Sequence, residues 1–170
     1  MTSRDVFRCG TAVMVVIVLT CTAAVAEKRF PLVAPGSPLP VVVAGSRPIE
    51  QDAAADLCRY LSRISGRKIT VSDKAATGKV TIHVGRDRFV EKHVGMIRKI
   101  RADGYVIRCI EHDGGLHLVL AGNVDRAAQW AVERFLTDHC GVRWLFPDPV
   151  HGEVVPRRTT ITVDRRLSKT

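Results

Sequence analysis

The sequence predicts a two-layer α/β sandwich of the α+β class, with two main helices on one face of a mixed β-sheet. Two long segments carry apolar residues at three- and four-residue spacing, which is typical of amphipathic helices. Short segments around them alternate apolar and polar residues, and one Gly-rich turn joins two such segments. Because an apolar helix face must be covered, we expect both helices to pack on the sheet.

The first 26 residues are interpreted as a signal peptide. Two arginines precede the apolar stretch TAVMVVIVLT, and the small-x-small cleavage pattern AVA occupies residues 24–26. The stretch is short for a transmembrane helix of roughly 20 residues, and Thr20 before Cys21 argues against a lipoprotein. We expect an exported protein, periplasmic or extracellular, with no stable membrane span after cleavage and one domain over residues 27–170.

The predicted elements of the first half begin with strands. These strands cover residues 39–44, 68–72 and 79–85. A helix is predicted over residues 46–66, because Pro48 suits a first turn, Glu50 complements the positive helix N-terminus and Gly66 suits a left-handed end. Residues 86–100 are only weakly helical.

The second half contains a predicted hairpin, a second helix and a closing strand. Residues 105–112 and 116–122 flank the turn DGG, a strong hairpin signal. Residues 123–141 predict a helix that Asn123 or Asp125 caps and Gly141 ends, with Trp130 on its buried side. Residues 159–164 alternate and predict the last strand.

The net charge and the aromatic content limit the classes of partner, and the cysteine pattern bears on disulfide formation. The formal net charge is +9, from 26 Lys and Arg against 17 Asp and Glu. Export and an aromatic content of only 5% argue against nucleic acid, since single-strand binding uses stacked aromatics. Cys58, Cys109 and Cys140 remain after the signal peptide, and their odd number and unrelated spacing favour free thiols. A bridge between one pair after export stays open.

Motifs for chemistry are not evident in the sequence. It contains no HExxH or paired CxxC spacing and no GxSxG elbow, so we predict no metal, no cofactor and no catalytic residue. His83 alternates with apolar residues and is expected on the opposite, wetter face of its strand. Asp148 and Glu153 are the one carboxylate pair worth testing, as a hydrolase acid and base, although a proline-flanked loop does not fix their separation.

The segment GVRWLFPDPVHGEVVP, residues 141–156, holds the candidate binding residues Arg143 and Trp144. Both could contact a sugar. The favoured interpretation is structural: Trp144 and Phe146 plug the end of the second helix, and Arg143 meets a carboxylate. We therefore interpret the segment as a structural connection that also forms an edge of a partner surface.

Five blocks in chain order carry a resemblance to a known family. AAADLCRYLSRISGRKITV, TIHVGRDRFV, ADGYVIR, LVLAGNVDRAAQWAVERFL and GVRWLFPDPVHGEVVP resemble the N-terminal module of family-67 glycoside hydrolases, the α-glucuronidases. The chain is also similar to the small second domain of bacterial β-N-acetylhexosaminidases. The resemblance covers residues 39–163. The family usually has Gly and Tyr where this chain has Ala127 and Trp130, and its turn is shorter than FPDPVHGE.

The resemblance implies a zincin-like topology without the zinc motif and a module that packs against a following TIM barrel. The family's catalytic carboxylates lie in that barrel and match no residue here. A barrel takes roughly 250 residues, more than the 144 that remain of 170 once 26 are removed.

Three hypotheses follow. The first is a non-catalytic accessory domain of a secreted carbohydrate-active system, truncated or split from its barrel, or partnered by a barrel on another chain. The second is a stand-alone binding module for acidic polysaccharide. The third is a small hydrolase that uses Asp148 and Glu153.

Overall fold

The computed structural model describes residues 29–75, 80–95, 97–100, 102–148 and 152–170. The predicted signal peptide and its cleavage site lie outside these residues. No helix in the described ranges is both long enough and apolar enough to cross a membrane.

The elements are short apart from two helices and one hairpin. The strands are β1 (Arg29–Val33), β2 (Val41–Ala44), β3 (Thr81–Val84), β4 (Tyr105–His112), β5 (Gly115–Gly122), β6 (Arg143–Trp144), β7 (Glu153–Val154), β8 (Ile161–Asp164) and β9 (Ser168–Lys169). The α-helices are α1 (Pro48–Ser65), α2 (Arg88–His93) and α3 (Asp125–Phe135). A 3₁₀ turn covers Ile97–Lys99, and a π-helical turn, Leu136–Cys140, extends α3.

The main sheet is mixed, as predicted. Its strand order is β2-β3-β5-β4-β9, with β2, β3 and β5 parallel and β4 antiparallel to both of its neighbours. The helices α1 and α3 pack against each other and against one face of this sheet. Leu57 and Leu61 of α1, Phe135 of α3, and Ile107 and Leu118 of the hairpin are fully buried in this core. The predicted two-layer sandwich is confirmed.

The boundaries of α1 follow from its sequence. Pro48 begins the helix, and Gly66 ends it with a left-handed φ of 70°. The N–H of Gly66 donates to the carbonyl of Ser62 at 2.9 Å, which satisfies one of the last carbonyls. The predicted helix is confirmed at both ends.

The hairpin turn between β4 and β5 also matches its sequence. Asp113 and Gly114 have φ values of 49° and 69°. Two successive positive φ values define a type I′ turn, whose twist matches that of the strands it joins. Asp-Gly is a preferred pair for this turn, so the strand register follows from it.

The start of α3 differs from prediction. Val124 is the N-cap residue, and no side chain caps the helix. Asn123 instead donates to the carbonyls of Ile100 and Ala102, so the predicted cap by Asn123 or Asp125 is wrong. Gly141 ends the π-helical extension with φ 79°, as predicted.

The related family usually has a glycine where this chain has Ala127. The alanine fits because Gly122, at the end of β5, lies directly against it, and a Cβ at position 122 would overlap Ala127. Gly122 on β5 therefore provides the space for the close approach of α3 to the strand.

The opposite face of the sheet carries a second, smaller core. Val90, Val94 and Ile97, from α2 and the 3₁₀ turn, pack on Val106 and Val119 of the hairpin strands. This cover begins at Asp87, whose carboxylate accepts from the N–H of Val90 at 2.8 Å and caps α2.

Two strand predictions need correction. Residues 68–72 form no strand: Val71 makes an isolated bridge to Val42, and the chain then bends away. The closing strand β8 exists, but it pairs antiparallel with β1 and not with the main sheet. Neither β1 nor the two-residue β9 was predicted, because pairing rather than side-chain alternation defines them.

Candidate functional site

Arg143 and Trp144 form β6, the first strand of a two-stranded ribbon with β7. Arg143 lies opposite Val154, and Trp144 lies opposite Glu153. The N–H of Leu145 donates to the carbonyl of Gly152 at 2.7 Å, which extends the pairing toward the loop. Because neighbouring side chains in a strand point to opposite faces, Trp144 and Arg143 face different surroundings.

Trp144 is anchored to α1. Its Nε1–H donates to the hydroxyl of Tyr60 at 3.0 Å, and the two rings meet edge to face at 5.6 Å. Tyr60 in turn donates to the carboxylate of Glu153 at 2.5 Å, and Arg63 forms an ion pair with the same carboxylate. Trp144 and Glu153 thereby tie the ribbon to α1, whereas Trp144 was expected at the C-terminus of α3.

Among the described residues Arg143 meets no carboxylate, so that part of the structural interpretation is wrong. Its guanidinium donates to the carbonyl of Thr137 at 2.8 Å and to the carbonyl of Val142 at 3.0 Å. A cation that bonds late helical carbonyls satisfies acceptors that the helix leaves unpaired. Arg143 therefore fastens the end of the π-helical turn.

The ribbon exposes apolar side chains that were predicted to plug the helix end. Trp144 is 43% exposed and Phe146 is 56% exposed, so neither is a buried plug. Leu145 is 60% exposed and Val154 is 50% exposed. We call Leu145, Phe146 and Val154 the ribbon patch. Such a set of large apolar side chains on one short element is typical of an interaction surface.

In the carboxylate pair Asp148 and Glu153, the contacts of Glu153 do not fit the general acid of a hydrolase. The hydrogen bond from Tyr60 and the Arg63 guanidinium hold the pKa of Glu153 below its ordinary value, although partial burial opposes them. A general acid needs a raised pKa. Asp148 belongs to the turn, where its carbonyl accepts from the N–H of Gly152 at 3.0 Å. The contacts of Glu153 anchor the ribbon to α1.

A shallow groove lies beside the ribbon and was missed by sequence reasoning. We call it the aromatic groove, and its volume is about 320 Å³. Its lining residues are Tyr105, Trp130, Glu133, Arg134, Thr137 and Trp144. Trp130 was predicted on the buried side of α3 but is 40% exposed, so that prediction is wrong. The sequence feature that could have indicated this exposure is the position of Trp130 at the margin of the apolar stripe of α3.

Histidines from four segments meet on the face opposite α1 and α3. His83, His93, His112 and His117 surround Phe89, whose ring stacks on those of His83, His93 and His117 at 4.4, 4.4 and 4.1 Å. His83 is on the predicted face, but it is only 1% exposed, so the expected wet environment is wrong. The helix α2 covers this face of the sheet, which explains why His83 is buried.

His83 has a partner on each ring nitrogen. Its Nδ1 lies 2.5 Å from the carboxylate of Asp87, and its Nε2 lies 3.0 Å from Nδ1 of His117. Burial alone would raise the pKa of Asp87, but hydrogen bonds from His83 and from the N–H of Val90 outweigh it and lower the pKa. The carboxylate is therefore an acceptor, and His83 donates to it from Nδ1.

The described residues hold no group of three or more His, Cys, Asp or Glu side chains arranged to bind a metal. Cys58, Cys109 and Cys140 are free, buried thiols, which agrees with the interpretation favoured from the sequence. Burial raises the pKa of Cys58 to about 11 and those of Cys109 and Cys140 to about 12. A thiol with so high a pKa is a poor nucleophile at neutral pH.

A larger cavity of about 820 Å³ lies at the carboxyl ends of β2 and β3, where α/β sheets often bind ligands. Two of its charged groups already have partners. Arg86 pairs with Asp125 at 3.3 Å, and Asp87 is engaged by His83. The buried Glu50 fills the space at the first turn of α1, where an anion would otherwise bind. The carboxylate of Glu50 therefore takes the anion position at the start of α1.

The model of the glycosyl hydrolase family 67 N-terminus matches residues 35–132, more than half of the chain. The chain belongs to this family. No curated protein matches it. The matched range runs from the loop before β2 into α3 and includes the five-block resemblance as far as Val132. The ribbon patch, Arg143 and Trp144 lie beyond it.

Membership of this family indicates the broad role of the protein. A family-67 N-terminal domain is a glycoside hydrolase-associated domain, and its association with a catalytic domain is implied by the family. The matched region contains the core of the sandwich, from β2 to α3. The aromatic groove includes Trp144 outside the matched range and Tyr105 and Trp130 inside it.

Proposed function

We propose that this protein is a non-catalytic accessory domain of a secreted glycoside hydrolase system and that it docks on a catalytic domain. The family match over residues 35–132 carries the proposal. The buried thiols and the ion-paired Glu153 support a non-catalytic role, because each is already engaged in packing or anchoring.

The ribbon patch is the proposed docking surface. Leu145, Phe146 and Val154 are each half exposed or more, on a ribbon that Trp144 and Glu153 hold against α1. A rigid, apolar surface loses little conformational entropy on association. A catalytic barrel of the same family is the partner whose chemistry fits, since this family lies at the N-terminus of such enzymes.

Docking is tested with a family-67 catalytic barrel expressed without its own N-terminal module. Size-exclusion chromatography with light scattering should show a one-to-one complex with the purified chain. The triple change Leu145→Ser, Phe146→Ser and Val154→Ser should abolish the complex. The control is Val71→Ser, which alters an exposed apolar residue outside the patch. A folded protein that forms no complex would overturn the docking proposal.

The non-catalytic role has a separate test. The purified chain is incubated with glucuronate-bearing xylo-oligosaccharides, and released glucuronic acid is measured. We expect no release above the blank. Release that disappears in Glu153→Gln would restore the hydrolase hypothesis instead.

Secretion is part of the proposal and is supported by the basic, apolar and small-residue regions of residues 1–26. Expression of the complete reading frame in a bacterial host and N-terminal sequencing of the exported product should give Glu27 as the first residue. A product that retains residue 1 in the cytoplasm would contradict it.

A split enzyme is a variant of the same proposal, in which a neighbouring reading frame encodes the barrel. Sequencing of the adjoining genomic region tests it directly. A frame that encodes a family-67 barrel would support it, and unrelated neighbours would favour an independent accessory domain.

Binding of acidic polysaccharide is the second candidate, favoured by the net charge of +9. Its strongest predicted contact, Arg143, already donates to two backbone carbonyls, which weakens this candidate. Affinity electrophoresis in gels that contain glucuronoxylan would retard the protein if it binds, and unchanged migration would remove the candidate.

A further inference from the structure

The aromatic groove combines both tryptophans of the chain. Trp130 on α3 and Trp144 on β6 line the same depression of about 320 Å³, a volume at the small end of ligand pockets. Each is about two-fifths exposed. Tryptophan supplies a large apolar surface, so two such rings on one groove leave an apolar face without a partner.

Both rings are held in place without a ligand. Trp144 is fixed by its hydrogen bond to Tyr60. The Arg126 guanidinium lies 5.8 Å from the ring centroid of Trp130, and Asp103 forms an ion pair with Arg126. A preformed pair of rings binds with a smaller entropic cost than mobile side chains.

Three polar groups of the groove form no hydrogen bond within the described part of the chain. These are the hydroxyls of Tyr105 and Thr137 and the indole N–H of Trp130. The hydroxyls can donate and accept, and the indole N–H can donate. A ligand with an apolar face and hydroxyls around its edge would satisfy both kinds of surface.

Arg134 and Lys169, two cations near the groove, already share a carboxylate partner. Arg134 bonds the carboxylate of Asp138 at 2.9 Å, and Lys169 bonds the same carboxylate at 2.7 Å. The remaining charge of the lining, Glu133, accepts from Gln129 at 3.2 Å. Arg134, the cation among the described lining residues, is thus already ion-paired, and Glu133 would repel a carboxylate, which favours an uncharged ligand.

We infer that the aromatic groove is a binding subsite for a neutral pyranose ring of a β-linked glycan chain. The C–H face of such a ring stacks on tryptophan, and its equatorial hydroxyls reach Tyr105 and Thr137. This inference deepens the proposed function, because it gives an accessory domain of a glycoside hydrolase a contact with the polymer. It does not require that the ribbon patch docks on a barrel.

The test is calorimetric titration of the purified chain with linear xylohexaose and with cellohexaose. Binding of either, with a change in tryptophan emission, is the expected result. Trp130→Ala should weaken the association constant at least tenfold, which corresponds to about 1.4 kcal/mol. Tyr105→Phe should weaken it by a smaller factor. Thermal unfolding of each variant confirms that it is folded.

Phe146→Ser separates this inference from the proposed docking. It should leave oligosaccharide binding unchanged and weaken the barrel complex, whereas Trp130→Ala should do the reverse. Absence of binding to both oligosaccharides, or equal binding by Trp130→Ala, would overturn the subsite and leave docking untouched. At least tenfold tighter binding of glucuronate-bearing xylo-oligosaccharide than of xylohexaose would overturn the assignment of a neutral ligand.

Discussion

The carboxylate of Glu50 accepts a hydrogen bond of 3.0 Å from the backbone N–H of Arg86. Glu50 is only 2% exposed, and its other oxygen accepts from the N–H of Arg47 at 3.3 Å. The side chain lies between Gly45 and Gly85, where a Cβ on either glycine would overlap it. One carboxylate thus joins the turn after β2, the start of α1 and the turn after β3.

Removal of this carboxylate should destabilise the domain. Glu50→Ala leaves two backbone N–H groups without their acceptor in a buried place, so we expect a loss of about 2 kcal/mol or more in the free energy of unfolding. Glu50→Gln keeps one acceptor oxygen and should lose less. Urea denaturation followed by circular dichroism measures both. Equal stability of Glu50→Ala and the wild type would contradict the assigned role.

The glycine beside Glu50 gives a second prediction. Gly85 has φ 83° and no space for a Cβ, whereas Gly36 has φ 74° and open space around it. Gly36→Ala should lose about 1 kcal/mol from backbone strain alone. Gly85→Ala should lose clearly more, because the Glu50 side chain must also move. Equal losses in the two variants would show that the close approach to Glu50 carries no cost.

Much of this fold was predictable because local rules decide it. The apolar stripe and terminal residues of α1 depend on its own sequence, and Asp113-Gly114 fixes the β4–β5 turn. The strand β1 was not predictable in this way. It is defined by its pairing with β8, more than a hundred residues later in the chain, and no local pattern reports such a pairing.

The candidate site was less predictable, for a physical reason. Helical periodicity places Trp130 at the margin of the buried stripe of α3, and exposure there depends on what covers the margin. The ribbon from β6 to β7 leaves the ring open, which sequence periodicity cannot report. For His83, alternation gave the correct face, but the cover by α2 decided its burial.

Acidification should weaken the domain through His117. Burial lowers the pKa of His117, and the neighbouring His83 lowers it further. The unfolded chain therefore binds a proton at a higher pH than the folded chain does, so stability falls as the pH decreases from the ordinary histidine pKa of about 6.5.

The measurement is the free energy of unfolding between pH 7 and pH 5. His117→Asn keeps a donor toward His83 but does not titrate, so it should reduce the slope of stability against pH. His93 and His112 both contact the ring of Phe89. Burial and the neighbouring His112 also lower the pKa of His93, so some slope should remain in His117→Asn. Lys68→Gln alters an exposed charge that is not among the groups acting on these histidines, so it should keep the wild-type slope. An unchanged slope in His117→Asn would show that His117 is not the source of the pH dependence.

Tyr60 should control the position of the ribbon. Its hydroxyl accepts from Trp144 and donates to Glu153, so Tyr60→Phe removes both bonds at once. We expect a loss of about 1 kcal/mol in stability and a red shift of Trp144 emission, measured with Trp130→Phe in the background. Tyr105→Phe is the control, because its hydroxyl bonds no described residue. An identical spectrum in Tyr60→Phe would mean that the ring contact alone holds Trp144.

The three buried thiols predict how the folded protein responds to a thiol reagent. The pKa of Cys58 is raised to about 11 and that of Cys140 to about 12, in each case by burial. Very little thiolate is present at pH 8, so Ellman's reagent should react slowly with the native protein and fast once guanidinium unfolds it. Protein purified without reductant should then release three equivalents, the five cysteines less Cys9 and Cys21 of the predicted signal peptide. One equivalent instead of three would reveal a disulfide formed after export, and rapid reaction of the native protein would show that the core around these thiols opens readily.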